Sequence, residues 1–228
     1  MQLKLITHYL QLFRLYLEGP GSSERLHIWA SQRTFQENWD LEASNLAVMY
    51  DASLQSTYSR RLWNRESYEP KRMMTAFMEM EPGYVYDIFR DLFNENKDVA
   101  GRADRFIYYC DELLQLYKER HPLTKENSHY HNDNYQMVSL YLGFRYPAVY
   151  TLYDADAFRK LLQLLGSTDI PAANDIGRFF KVMRTLYGFM AKDEALMAAH
   201  RARLDENQHF MGESLLLSYD FYQFCKEG

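Results

Sequence analysis

The sequence predicts an all-α fold, an orthogonal bundle of about ten helices, and three observations predict it. Apolar residues recur at three- and four-residue spacing in segment after segment, the repeat that lines one face of a helix. Strand-like alternation is almost absent: only Tyr150–Tyr153 reads as extended, and it is too short for a sheet of its own. Proline, glycine and Asp/Asn residues stand where helices should open and close.

Leu3, Ile6, Leu10, Phe13 and Leu17 form the first apolar stripe, ended by Gly19-Pro20-Gly21-Ser22-Ser23. A second helix over about 24–39 turns Leu26, Trp29 and Phe35 inward. Asp40 is read as the cap of a third, carrying Leu41, Leu46, Met49 and Leu54. Pro70 and Pro82 each suit the first turn of a helix, the one with Met73, Met74, Phe77 and Met80, the other with Val85, Ile88, Phe89 and Leu92. The charged stretch 94–105 is read as containing a turn near Gly101. A long helix then carries Phe106, Tyr109, Leu113, Leu116 and Tyr117, and Pro122 forces it to end near His121. Residues 123–134 are the longest polar connection. They divide the chain into an N-terminal layer, 1–122, and a C-terminal layer, 134–228, which form two helical subdomains or one packed domain. Further helices are expected at about 134–145, 154–165, 172–190, 193–204 and 213–225. No heptad pattern lasts three repeats, so no coiled coil is expected.

Length and composition suit one large globular domain or two small ones. The net charge of −5 lacks the whole-domain basic footprint of a strong nucleic-acid binder, so any such contact must use a local patch. An aromatic share of 16% is high, and it is read first as a tyrosine-rich core whose hydroxyls find partners. Cys110 and Cys225 lie far apart with no Cys-x-x-Cys, which reads as ordinary thiols in a reducing compartment. Met1–Leu17 is broken by Lys4, His8 and Arg14 and reads as an amphipathic helix, not a signal peptide. No apolar run has the length to span a bilayer, and a cytoplasmic location without membrane contact is expected.

Two clusters hold the candidate chemistry. Arg60, Arg61, Arg65, Lys71 and Arg72, interleaved with Tyr58, Trp63 and Tyr68, are the densest basic stretch. Arginine forks bind phosphate bidentately and exposed aromatics stack on bases, so Arg60, Arg61, Trp63, Arg65, Lys71 and Arg72 are candidate DNA contacts; the bland reading is an ion-paired surface with Glu66 and Glu69. Arg145, at the end of an apolar helix, joins the list, or simply caps the last carbonyls. His129, His131 and Asp133 alternate along a loop and could converge on a metal ion, a weak candidate beside the alternative of a polar loop capping the next helix. Asp154-Ala155-Asp156 reads as a helix start with an acidic first turn. No nucleophile elbow, zincin helix or glycine-rich phosphate loop is present, so no catalytic residue and no cofactor is assigned.

The run from His129 to Gly166 adds a resemblance. A polar, histidine-bearing turn leads to Tyr141-Leu142, then Pro147, Tyr150 and Tyr153, and a helix closing on Leu164-Leu165-Gly166. This resembles the helical N-terminal regions of McrB-like AAA+ ATPases, the motor subunits of bacterial modification-dependent restriction systems. More loosely the resemblance takes in Leu3–Leu17, Ala43–Tyr50 and Phe210–Phe224. A motor would carry Gly-x-x-x-x-Gly-Lys-Ser/Thr, and none of the ten glycines is followed by Lys-Ser or Lys-Thr. The AAA+ domain is therefore absent from this chain. The resemblance implies a non-catalytic leading domain that recognises DNA, methylated DNA included, for a motor and nuclease elsewhere. The alternative it leaves is a protein-interaction domain that docks a nuclease subunit or an AAA+ neighbour.

Overall fold

A computed structural model describes residues 1–132 and 134–227. Among them the chain forms a multi-helix bundle of eleven α-helices, one short 3-10 turn and no strand. The helices are α1 (Leu3–Glu18), α2 (Leu26–Asn38), α3 (Leu46–Ser53), α4 (Pro70–Met80), α5 (Pro82–Leu92), α6 (Val99–Arg120), α7 (Gln136–Arg145), α8 (Ala155–Leu164), α9 (Ile176–Met190), α10 (Glu194–Ala202) and α11 (Leu216–Glu227), with the 3-10 turn at Arg60–Leu62. No helix among the described residues is long and apolar enough to cross a membrane.

The local chemistry explains the starts. Asp or Asn side chains at positions 45, 98, 154, 175 and 193 accept backbone N–H groups from the first turns of α3, α6, α8, α9 and α10, satisfying donors that have no partner within the helix. Prolines open α4 and α5, where their missing N–H costs nothing. Two boundaries differ from expectation. Asp40 caps a turn, accepting from the Glu42 N–H, and α3 starts only at Leu46 under Asn45. Gly101 does not break the chain. It lies in the first turn of α6 and donates its N–H to Asp98, so α6 begins seven residues ahead of Phe106. The segment 150–153 forms no strand; it crosses the core as buried coil.

The predicted stripe on α1 is the buried one, Ile6, Leu10, Phe13 and Leu17. It packs on α10 and α11, and its first amide, Gln2 N–H, donates to Leu165 O at the end of α8. Elsewhere α2 packs on α3 and α7, α5 on α6, α8 and α9 on α11, and α6 on α9. Helix α7 is the innermost: every residue from Met137 to Phe144 is buried, so it reads as apolar on all faces and not as an amphipathic surface helix. Its last carbonyls are satisfied from α2, where Gln32 Nε2 donates to Gly143 O and Gln36 Nε2 to Phe144 O. Much of the aromatic surplus sits here. Trp39 stacks on Phe35 and meets Tyr50, Phe89 and Phe93 edge-on, and Tyr141 meets Phe89 edge-on and Phe106 at a tilt.

Candidate functional site

The basic stretch follows α3 as a loop, the 3-10 turn and a second loop into α4. Its members divide sharply. Trp63 is 2% exposed and belongs to the core, so it offers no stacking surface. Lys71 turns back to α3, where its ammonium pairs with Asp51 at 2.6 Å and donates to the carbonyls of Asp51 and Leu54. Arg72 lies between Glu69 and Glu126, the bland ion-paired arrangement. Arg60 and Arg61 are exposed on the 3-10 turn and form no ion pair among the described residues. Arg65 is exposed too; its guanidinium lies 4.5 Å from the Tyr68 ring centroid and donates to Gln136 Oε1 at 3.2 Å. Beside them Tyr58 is 82% exposed. What remains is a ridge of one aromatic ring and three arginines.

Two clefts adjoin this stretch. One of about 450 Å³ is lined by Ser56, Thr57, Arg60, Asn64 and Lys71. The other, about 320 Å³, has Arg65, Gln136, Asp154, Asp156, Arg159 and Gln223 in its walls. Its carboxylates are already committed: Asp154 caps α8 and pairs with Lys226 at 2.7 Å, and Asp156 pairs with Arg159 at 2.7 Å. Arg145 stands apart from the ridge, at the far end of α7, with its guanidinium 5.1 Å from the Tyr146 ring centroid. The carbonyls it was expected to cap are held by Gln36.

The loop histidines go inward. His129 and His131 are buried, and Asp133 lies outside the described residues. Cys110 of α6, not singled out as a ligand in the sequence, completes the group: one donor atom each from Cys110, His129 and His131 lies within 4.8 Å of the others. The connection after Pro122 runs back along α6 and brings His129 beside Asp111. Its Nε2–H donates to Asp111 Oδ1 at 3.0 Å, and its Nδ1 accepts the His131 backbone N–H at 3.1 Å. The His131 Nδ1–H donates to the His129 carbonyl at 2.7 Å, so its Nε2 accepts the Tyr141 hydroxyl at 3.0 Å. Because a carbonyl and a backbone N–H each have one role, both tautomers are fixed. Tyr50 completes the chain, its hydroxyl 2.6 Å from that of Tyr141. Burial holds His131 neutral, its pKa lowered to about 3, lowers His129 as well, and pushes the Cys110 thiol up.

A second buried ionic group lies between α2, α10 and α11. Asp220, 1% exposed, accepts the Trp29 indole N–H at 3.0 Å and pairs with Arg203 and with Arg25. The His200 ring packs against Trp29 at a tilt, 4.8 Å between centroids. The group is packed between helices, with two guanidiniums sharing one buried carboxylate, which is the arrangement of a structural network.

Only one sequence signal could have led to Cys110. The helix rises about 1.5 Å per residue and an extended chain about 3.3 Å, so a few residues past Pro122 suffice to return to mid-α6. The residues carrying the family resemblance are fold-forming: Tyr141, Leu142, Tyr150, Tyr153 and Leu165 are buried, and Gly166 takes a left-handed φ of 65° at the end of α8. No protein-family model, no curated protein and no solved structure matches this chain.

Proposed function

We propose that this chain is a non-catalytic recognition module that contacts nucleic acid through Tyr58, Arg60, Arg61 and Arg65. The observation that carries this reading is the ridge itself: a tyrosine 82% exposed, followed by two arginines with no carboxylate partner among the described residues. Unpaired guanidinium forks suit phosphate, and an exposed ring suits a base drawn out of its stack. Burial of the cysteine–histidine group supports the non-catalytic part, since a substrate cannot reach it. The resemblance of 129–166 to McrB-like N-terminal regions supports DNA, methylated DNA included, as the ligand. In that setting the module works in the cytoplasm and delivers DNA to a motor and nuclease on other domains.

The test is a fluorescence-anisotropy titration of the chain against short duplexes, unmodified and 5-methylcytosine-containing, and against a single strand of the same sequence. Three phosphate contacts predict a log–log salt slope of about −2.7 on duplex, a loss of about 40-fold between 50 and 200 mM salt. Arg60→Ala with Arg61→Ala should flatten that slope by about 2, and Tyr58→Ala should weaken binding by about 1–3 kcal/mol where a base stacks on the ring. Absence of binding at low salt refutes the reading. A second reading, docking of a protein partner, draws on Leu12 and Leu15, exposed one turn apart on the outer face of α1. It predicts capture that persists at high salt and is lost in Leu15→Glu.

A further inference from the structure

We infer that Cys110, His129 and His131 form a structural binding site for a borderline-soft divalent metal ion, zinc above all. The donor set is one thiol and two imidazoles, ligand types that zinc takes in its tetrahedral sites, and it leaves a fourth position to be filled. Their donor atoms already lie within 4.8 Å of one another. Zn–S near 2.3 Å and Zn–N near 2.0–2.1 Å place tetrahedral donors about 3.3–3.6 Å apart, so the three need draw in by about 1 Å.

The surroundings supply what a bare cluster of ligands would lack. Each imidazole is anchored through the nitrogen that a metal would not use: His129 Nε2–H donates to the Asp111 carboxylate, and His131 Nδ1–H donates to a backbone carbonyl. Carboxylate and carbonyl acceptors on the distal nitrogen are how metal-binding histidines are oriented and their tautomers fixed. That leaves the lone pairs of His129 Nδ1 and His131 Nε2 as the ones a metal would take.

Those lone pairs are occupied now, by the His131 backbone N–H and the Tyr141 hydroxyl. Metal binding at His129 Nδ1 costs the His131 N–H its acceptor, whereas the second lone pair can be surrendered by a hydroxyl rotation. Tyr141 and Tyr50 share a hydrogen bond in which either can be the donor. If Tyr141 donates to Tyr50, His131 Nε2 is released without loss of that bond. The Tyr141 oxygen, 3.0 Å from Nε2, is then the oxygen best placed for the fourth position. Binding displaces the thiol proton of Cys110 to solvent and changes no oxidation state. Its effect is to staple the connection 121–135 to the middle of α6 and to α7. This inference is independent of the nucleic-acid reading.

The test is metal binding by the tag-free chain, unfolded with a chelator and refolded with cobalt(II) as a spectroscopic stand-in for zinc. The expected result is one equivalent bound, with a thiolate-to-cobalt charge-transfer band in the near ultraviolet. Cys225→Ser, which removes the other thiol, should keep the band, and Cys110→Ser should lose it. Zinc at a hundredfold excess over Kd should raise the Tm of the wild-type chain by about 5–10 °C. A wild-type chain that gives no cobalt band and no zinc-dependent Tm shift overturns the site, whatever the variants do. A band that survives in folded Cys110→Ser overturns it equally.

Discussion

His200 shows how one buried side chain ties stability to pH. It sits against Trp29, with Arg203 Nε 3.4 Å from its Nδ1, while Asp220 holds Arg203 and the indole on the far side. Burial first, then Arg203 and Arg201, depress its pKa from 6.5 to about 3. In the unfolded chain it takes up a proton below pH 6.5, which the folded chain refuses until about pH 3. The folded state therefore loses stability as pH falls through that window, by about 1.4 kcal/mol per unit from this residue, with no effect above it. Urea unfolding of wild type and His200→Gln at pH 7.0 and 4.5 isolates the contribution from the other depressed histidines. The gap between the two chains should narrow or reverse at the lower pH; an unchanged gap refutes the assignment. At this same scale the sequence was hardest to read. An exposed Arg60 and an ion-paired Arg72 look alike in a string, because only part of the difference, Glu69, is local, and the other partner, Glu126, lies fifty-four residues away.

Elements were far more legible, for a local reason. A helix start needs a side-chain acceptor or a proline within a few residues, so Asp154, Pro70 and Pro82 announced α8, α4 and α5. Where two local uses of the same residue compete, the string is ambiguous. Asp40 caps a turn and not a helix, and both are bonds from an aspartate to a nearby amide. Gly143 carries a prediction at this level. It lies within α7 against the 150–153 crossing, and a Cβ there would stand 3.0 Å from Thr151 Cα. Alanine favours a helix interior over glycine by about 1 kcal/mol, yet here the neighbour is backbone and cannot rotate away. Gly143→Ala should therefore lower stability, by roughly 1–3 kcal/mol in thermal denaturation, as α7 is pushed off the crossing. A neutral or stabilising result would mean that the crossing can shift.

For the molecule as a whole, the joins run across the polar connection rather than stopping at it. Helix α1 packs on α10 and α11, α2 on α7 and α6 on α9, and one apolar cluster contains residues from every helix. Far-ultraviolet circular dichroism and tryptophan fluorescence should therefore report one coincident urea transition, and two separated transitions would show that 1–122 and 134–228 unfold independently. That long-range pairing is also why the candidate site was only half visible: alternation placed His129 and His131 together, but no local rule links them to a cysteine nineteen positions earlier. The two cysteines carry one more consequence. Cys110 is fully enclosed in α6 and Cys225 nearly so in α11. A thiol reagent can reach either only when its surroundings open, so the labelling rates act as two internal clocks on one chain. If the last helix frays on its own, the Cys225 clock runs fast while that of Cys110 keeps the time of global unfolding.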